Sequence, residues 1–277
     1  MATNWHLVIL AILQGITELF PVSSLGHAVL VPALLHWPMN RDAPWFLPFI
    51  VVLHLGTAAA LLLFFWRDWW DILASLGRTR GRPTEPGARL FWLLVLGTVP
   101  AGLIGLALHQ RIRLLFGTLT VAAVALAING ILLIAGDALK QRRPHYELER
   151  MGWGQSFLVG IAQALALIPG ISRSGVTLIA GLGTGLDYAA SARFSFLLAT
   201  PIIGAAGLLE VPKLFHASLP HGLLVTIIGS GIVAGVCAWL STWFLMRYFR
   251  LREVTALRPF GFYCLLAAGV ALFIHFL

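Results

Sequence analysis

The chain has 277 residues, of which 59% are hydrophobic types and 11% are charged, against roughly 25% charged in a soluble globular domain. With a mean hydropathy of +0.88, these figures exclude a soluble enzyme, a disordered chain and a nucleic-acid-binding protein, and leave an integral membrane protein with several spans. The net charge of +8 is then read by position, because basic residues mark cytoplasmic loops.

Met1 to Leu13 is apolar but has no Lys or Arg ahead of it, and Gln14 and Glu18 follow in place of a small-residue cleavage site. The start is therefore not read as a cleaved signal peptide. Crossing a bilayer core takes about 20 apolar residues as helix. Segments of that kind run from Trp45 to Trp66, Leu90 to Leu108, Leu119 to Gly136, Phe194 to Val211, Leu223 to Met246 and Pro259 to Leu277.

Two further apolar regions, Trp5 to Trp37 and Gly152 to Leu186, are broken midway by Pro, Gly and Ser. Each half is too short to span alone. Pro and Gly end a first half-helix, and Ser favours the start of a second. Irregular backbone at membrane depth is tolerated only where protein or a wet cavity surrounds it. The expected fold is all-α: six transmembrane helices plus two re-entrant helix–turn–helix hairpins.

Orientation follows from the basic residues. Thirteen of the 19 fall in three loops: Arg67, Arg78, Arg80, Arg82 and Arg89; Lys140, Arg142, Arg143 and Arg150; Arg247, Arg250, Arg252 and Arg258. Arg41, Arg111, Arg113 and Lys213 lie in the opposite loops. With six crossings the rich loops share one side, the cytoplasm, and both termini face the periplasm.

A shift of 149 places lays Gln14 on Gln163, Ser23 on Ser172 and Gly26 on Gly175, and a shift of 148 lays Gly56 on Gly204 and Ala58 on Ala206. The chain is thus expected to be one membrane domain over 1–277, with an inverted-topology repeat of about 1–136 and 152–277. Such repeats place a site at their interface near the midplane.

An ionised side chain at membrane depth costs several kcal/mol and marks function by default. Glu18, one turn after Gln14, and Arg173, inside the second break, are the two such residues. The plain alternative is a buried ion pair joining the hairpins, which apolar packing could replace. Around them stand Ser23, Ser24 and His27 in one break and Ser172, Ser174 and Thr177 in the other. Capping explains one serine per break. Half-helix N-termini in a cavity favour an anion, and an arginine fork beside them makes a phosphate clamp. His27 suits a general acid or base, with a packed histidine as the alternative. His54 is read as structural, and His109, His216 and His221 as loop or interface residues. Glu18 with Gln14 suits a hard divalent cation, Mg²⁺ or Ca²⁺, bridging to phosphate oxygens. Gly231-xxx-Gly235 is read as close helix packing. Cys237 and Cys264 lie in apolar runs and imply no disulfide framework.

The stretches Gln14-Gly-Ile-Thr-Glu18-Leu-Phe-Pro-Val-Ser-Ser24-Leu-Gly-His27 and Pro169-Gly-Ile-Ser-Arg173-Ser-Gly-Val-Thr177 closely resemble the two signature motifs of the undecaprenyl-diphosphate phosphatase family, the bacitracin-resistance type of membrane enzyme. Phe194-Ser-Phe-Leu-Leu-Ala-Thr-Pro201 is similar to it as well. The resemblance implies removal of the terminal phosphate of undecaprenyl diphosphate, which recycles the carrier lipid for cell-wall synthesis. It also implies a divalent cation and an active site that opens to the periplasm from the bacterial inner membrane. By the same resemblance Glu18 is an essential acid, His27 the closing histidine, Ser24 the nucleophile and Arg173 the essential arginine. Ser172, Ser174 and Thr177 are then phosphate contacts, and Ser23 is read as a further phosphate contact in the first break. Many members have Glu where this chain has Gln14, an accepted variant that offers an oxygen but no charge.

Serine or water as the attacking group stays open at this point. So does a rival class, a carrier or flippase of polyprenyl phosphate, since inverted repeats with broken helices also build transporters. The partners expected are the lipid diphosphate and the bilayer, with no nucleic acid. The Gly-rich spans leave room for a homodimer.

Overall fold

The computed structural model describes residues 4–37, 43, 45–115, 118–140, 146–216, 222–251 and 255–276. Arg41, Arg142, Arg143, Arg252 and His221 lie outside them, as do the chain ends Met1 and Leu277 and the side chains of His109, Arg111, Arg113, Lys140, Lys213 and His216.

The fold is all-helical. Its elements are α1 (Asn4–Thr17), α2 (Ser24–Leu34), α3 (Phe46–Phe64), α4 (Trp66–Thr79), α5 (Pro86–Leu115), α6 (Leu119–Lys140), α7 (Trp153–Ala164), α8 (Arg173–Gly183), α9 (Tyr188–His216), α10 (Leu223–Leu251) and α11 (Arg258–Phe276). Among the described residues, six helices are long and apolar enough to cross a membrane: Phe46–Phe64, Pro86–Leu108, Leu119–Ala138, Tyr188–Pro212, Leu223–Leu251 and Arg258–Phe276. They correspond one to one with the six spans read from sequence. Their outward side chains are apolar, with Leu208, Val225 and Leu266 well exposed, as a surface solvated by lipid requires.

The two broken regions form pairs of short helices. Ser23 caps α2 by accepting from the Gly26 N–H at 3.2 Å, and Ser172 caps α8 in the same way from Gly175 at 3.1 Å. These caps satisfy backbone donors that a helix start otherwise leaves unpaired. The Trp37 ring, just past α2, packs on Trp5 and His6 at the start of α1. Gln155, at the start of α7, donates to the Thr184 carbonyl at the end of α8 (2.9 Å). Each pair therefore ends beside where it began.

Close backbone approach depends on glycine at several places, among them the α3–α10 contact and the second break. A Cβ at Gly56 of α3 would lie 1.9 Å from the Gly231 carbonyl oxygen of α10. Gly231 and Gly235 thus serve the close packing expected of them. Gly170, in the second break, has φ +107° and sits where a Cβ would meet the Ala122 oxygen at 2.3 Å, so only glycine fits without strain.

Helix α4 corrects an expectation, because the basic segment after Trp66 reads as a loop. It is a helix that buries Ile72 and Ser75 while Trp66, Trp70 and Leu73 stay exposed. That distribution suits a helix lying at the membrane interface. Polar contacts gather the basic segments at one end. Arg89 donates to the Glu149 and Met151 carbonyls, and Arg193 pairs with Asp68 and Glu149. Buried Asp137 accepts from Tyr188 and from the Leu257 and Arg258 amides at the start of α11.

Candidate active site

Helix α1 ends at Thr17, and Glu18 still donates its N–H to the Gln14 carbonyl. This leaves the Glu18 carboxylate at the mouth of the first break, 7% exposed. Its Oε2 accepts from Ser24 Oγ at 2.5 Å and from Gln14 Nε2 at 3.1 Å, and lies 3.2 Å from His54 Nε2. Its Oε1 accepts from Arg173 Nη2 at 3.4 Å. A buried carboxylate is costly unless paired and hydrogen-bonded, and Glu18 is both.

Arg173 opens α8. Nη1 donates to the Ser195 carbonyl at 3.1 Å, while Nε is buried with no partner. The guanidinium is therefore anchored from α9 with donor capacity in reserve.

The two breaks are tied together by side chains. Asn129, mid-span in α6 and fully buried, donates to the Pro21 carbonyl at 2.9 Å and accepts from the Ser172 N–H at 3.0 Å. Ser174 Oγ donates to the Phe20 carbonyl at 3.1 Å.

A cavity of about 260 Å³ opens between the breaks. Glu18, Ser23, Ser24, His54, Gln163, Ser172 and Arg173 supply its polar wall, and aliphatic residues, among them Ile50 of α3 and Ile203 of α9, supply the rest. Residues at both helix starts line that wall, which brings the positive dipole ends of α2 and α8 beside it.

Of the residues singled out by sequence, Glu18, Ser23, Ser24, Ser172 and Arg173 meet in this cavity. Gln14, His27, Ser174 and Thr177 stand behind it. Gln14 turns an amide N–H, rather than its oxygen, to Glu18. His27 Nδ1 lies 2.7 Å from the Ser23 carbonyl, an acceptor, so Nδ1 carries a hydrogen, and Nε2 is hydrogen-bonded to Tyr263 Oη at 2.7 Å. Thr177 Oγ1 bonds the Arg173 carbonyl at 2.7 Å and Ser195 Oγ at 2.6 Å. Among the described residues no three His, Cys, Asp or Glu converge as a metal cluster.

Sequence reasoning missed His54, Asn129, Gln163 and Tyr263. His54, read as a structural residue, lines the cavity and contacts Glu18. The signal was there in principle, since an ionisable or amide side chain inside an apolar span is functional by default.

Residues 7–270 match the family described as Bacitracin resistance protein BacA. The chain is 57% identical to Undecaprenyl-diphosphatase 2 of Chromobacterium violaceum over 268 residues, covering 96% of both chains. It is 51% identical to the Undecaprenyl-diphosphatase of Acidiphilium cryptum over 270 residues (96% of this chain, 95% of that one). It is 48% identical to that of Granulibacter bethesdensis over 283 residues (97% and 96%). With the broken helices and the Glu18–Ser24–Arg173 cavity, these matches along nearly the whole length show that the chain belongs to the bacitracin resistance protein BacA family.

Proposed function

We infer that this chain hydrolyses undecaprenyl diphosphate to undecaprenyl phosphate and phosphate, the activity for which its relatives are named. In doing so it recycles the lipid carrier of cell-wall synthesis and confers bacitracin resistance. The observation that carries the reading is the Ser24 hydroxyl bonded at 2.5 Å to a buried carboxylate whose other oxygen faces Arg173. A carrier of lipid phosphates needs the arginine but has no use for a hydroxyl paired with a base, so this pair favours the phosphatase over the flippase.

Ser24 Oγ attacks the terminal phosphorus, forming an Oγ–P bond as the bridging P–O bond breaks and undecaprenyl phosphate leaves. The Ser24 proton passes to Glu18 Oε2. Water then attacks the phosphoserine, phosphate departs, and a proton returns to Oγ. Arg173 and the starts of α2 and α8 stabilise charge on the phosphoryl oxygens, the main task in such chemistry. Ser172 and Ser23 serve at the cavity wall as phosphate contacts, whereas Ser174, Thr177 and His27 support the breaks from behind.

Mg²⁺ commonly takes one or two carboxylates and completes its shell with water and phosphate oxygens. Glu18 Oε1, which meets Arg173 only at 3.4 Å, keeps a lone pair for such a partial shell, while Gln14 bonds the carboxylate at its other oxygen, Oε2. These residues fit a Mg²⁺ or Ca²⁺ shared with the diphosphate, and the ion would neutralise phosphoryl charge there.

The broken pairs are re-entrant hairpins in an inverted repeat of about 1–136 and 152–277 within one domain. The meeting of Trp37 with Trp5 and of Gln155 with Thr184 supports this. The protein is multi-pass in the bacterial inner membrane, with its basic end cytoplasmic and with the cavity and both termini periplasmic.

The test is phosphate release from undecaprenyl diphosphate by purified protein, with and without chelator. No release with any divalent cation, while the lipid still binds, overturns the reading in favour of a carrier. Near-normal turnover by Ser24→Ala would replace serine attack by direct attack of water.

A further inference from the structure

His54 lies in the apolar run of α3, where packing alone would put an aliphatic residue. Its Nδ1 is 2.8 Å from the Ile50 carbonyl oxygen, which can only accept. Its Nε2 is 3.2 Å from Glu18 Oε2, a second acceptor. The ring thus has a hydrogen-bond acceptor within reach of each of its nitrogens. The ring also lines the cavity shared by Ser24 and Arg173.

Glu18 needs such a partner. It sits just past the end of α1 on a flexible side chain, and its own segment offers only Gln14 as an amide donor to Oε2. Charge-assisted N–H···O bonds settle at about 2.7–2.9 Å, yet Arg173 stays 3.4 Å from Oε1. The carboxylate is thus held away from a tight ion pair with Arg173, its oxygen drawn towards Ser24 and His54. Full collapse of Glu18 onto Arg173 would occupy the base and the phosphate clamp together. His54 comes from α3, whose position is fixed by backbone contact between Gly56 and Gly231 of α10. It therefore ties the carboxylate to a packed span and not to the break.

We propose that His54 is a positioning residue of the phosphatase, its Nε2–H holding Glu18 Oε2 against Ser24 Oγ and off Arg173. This rests on the phosphatase reading above.

The experiment compares His54→Leu and His54→Gln in purified protein, with phosphate release from undecaprenyl diphosphate as the readout. General acid–base groups contribute about 10²–10⁴-fold, so loss of the orienting bond in His54→Leu should lower kcat about 10²-fold while KM moves less than about 3-fold. His54→Gln, whose amide N–H reaches the carboxylate, should recover to within about 10-fold of the parent. Equal losses in the two variants, or a kcat in His54→Leu within about 2-fold of the parent, would show a packing residue and overturn the proposal. If His54→Leu does not elute as folded protein, His54→Asn takes its place: its shorter amide cannot span to Glu18, so it should lose activity where His54→Gln keeps it. Failure of the underlying reading looks different, since the parent protein itself would then release no phosphate.

Discussion

Arg173 Nη2 stands 3.4 Å from Glu18 Oε1, joining residues 155 apart in sequence across the two helix breaks. The contact is long for an ion pair because both partners are held elsewhere: Arg173 by the Ser195 carbonyl and Glu18 by Ser24, Gln14 and His54. A loosely coupled arginine keeps donor capacity for an incoming diphosphate while the carboxylate stays on Ser24.

Arg173→Lys should therefore fail although it keeps the charge. A lysine ammonium lacks the planar fork and cannot hold the Ser195 carbonyl and a phosphoryl oxygen in fixed geometry. The expected loss in kcat/KM is on the order of 10²–10³-fold, as for removal of one oxyanion donor. Steady-state phosphate release measures it. Activity within a few-fold of the parent would mean that charge alone suffices.

His27 tests the difference between moving a proton and shaping a turn. Ser23 holds φ 66° and ψ 97°, a costly conformation for a residue with a side chain. Its carbonyl accepts from both the backbone N–H and Nδ1 of His27, at 3.2 and 2.7 Å. An asparagine amide can reproduce the Nδ1 bond but cannot shuttle a proton. If His27 shapes the turn, His27→Asn should keep activity within about 10-fold and His27→Ala should lose about 10²-fold. Equal losses in Asn and Ala would return His27 to proton transfer. Tyr263→Phe removes only the bond to Nε2 and should be the mildest of the three.

Asn129→Leu should uncouple the breaks. It removes the bonds to the Pro21 carbonyl and the Ser172 N–H, leaving two buried backbone groups unsatisfied at about 1–3 kcal/mol each. Thermal unfolding in detergent should show a clear drop in the midpoint, with phosphate release falling in parallel. An unchanged midpoint would mean that water replaces the amide in full.

The spans, both breaks and their serine caps are legible in the sequence because each is a local signal: an apolar run of spanning length, or Pro, Gly and Ser interrupting one. Glu18 and Arg173 are legible because charge is expensive where they sit. Asn129 and His54 obey the same rule but are not legible as site residues, since a lone polar residue inside a continuous apolar span gives no local sign of its partner. Those partners, Pro21, Ser172 and Glu18, lie on other elements. Helix α4 was hidden by its charges, which mark a loop until the helical spacing of its buried and exposed residues is seen. Arg193, which the positional count left unassigned, found its role only through Asp68 and Glu149 on distant segments.

Gln14 gives a prediction about the cation. Its amide donates to Glu18 Oε2 at 3.1 Å, so a glutamate there would set two carboxylates against each other. Like charges at that distance repel unless a proton or a cation intervenes. Gln14→Glu should therefore tie activity more closely to a divalent cation. With excess chelator it should fall at least about 10-fold further than the parent, and with millimolar Mg²⁺ it should recover to parental turnover or above, because a second carboxylate adds a ligand to the shell. Titration of phosphate release against free Mg²⁺ should then give a lower half-saturating concentration for Gln14→Glu. Identical titrations for the two proteins would place the cation away from Gln14 and leave Glu18 as its protein ligand without that neighbour.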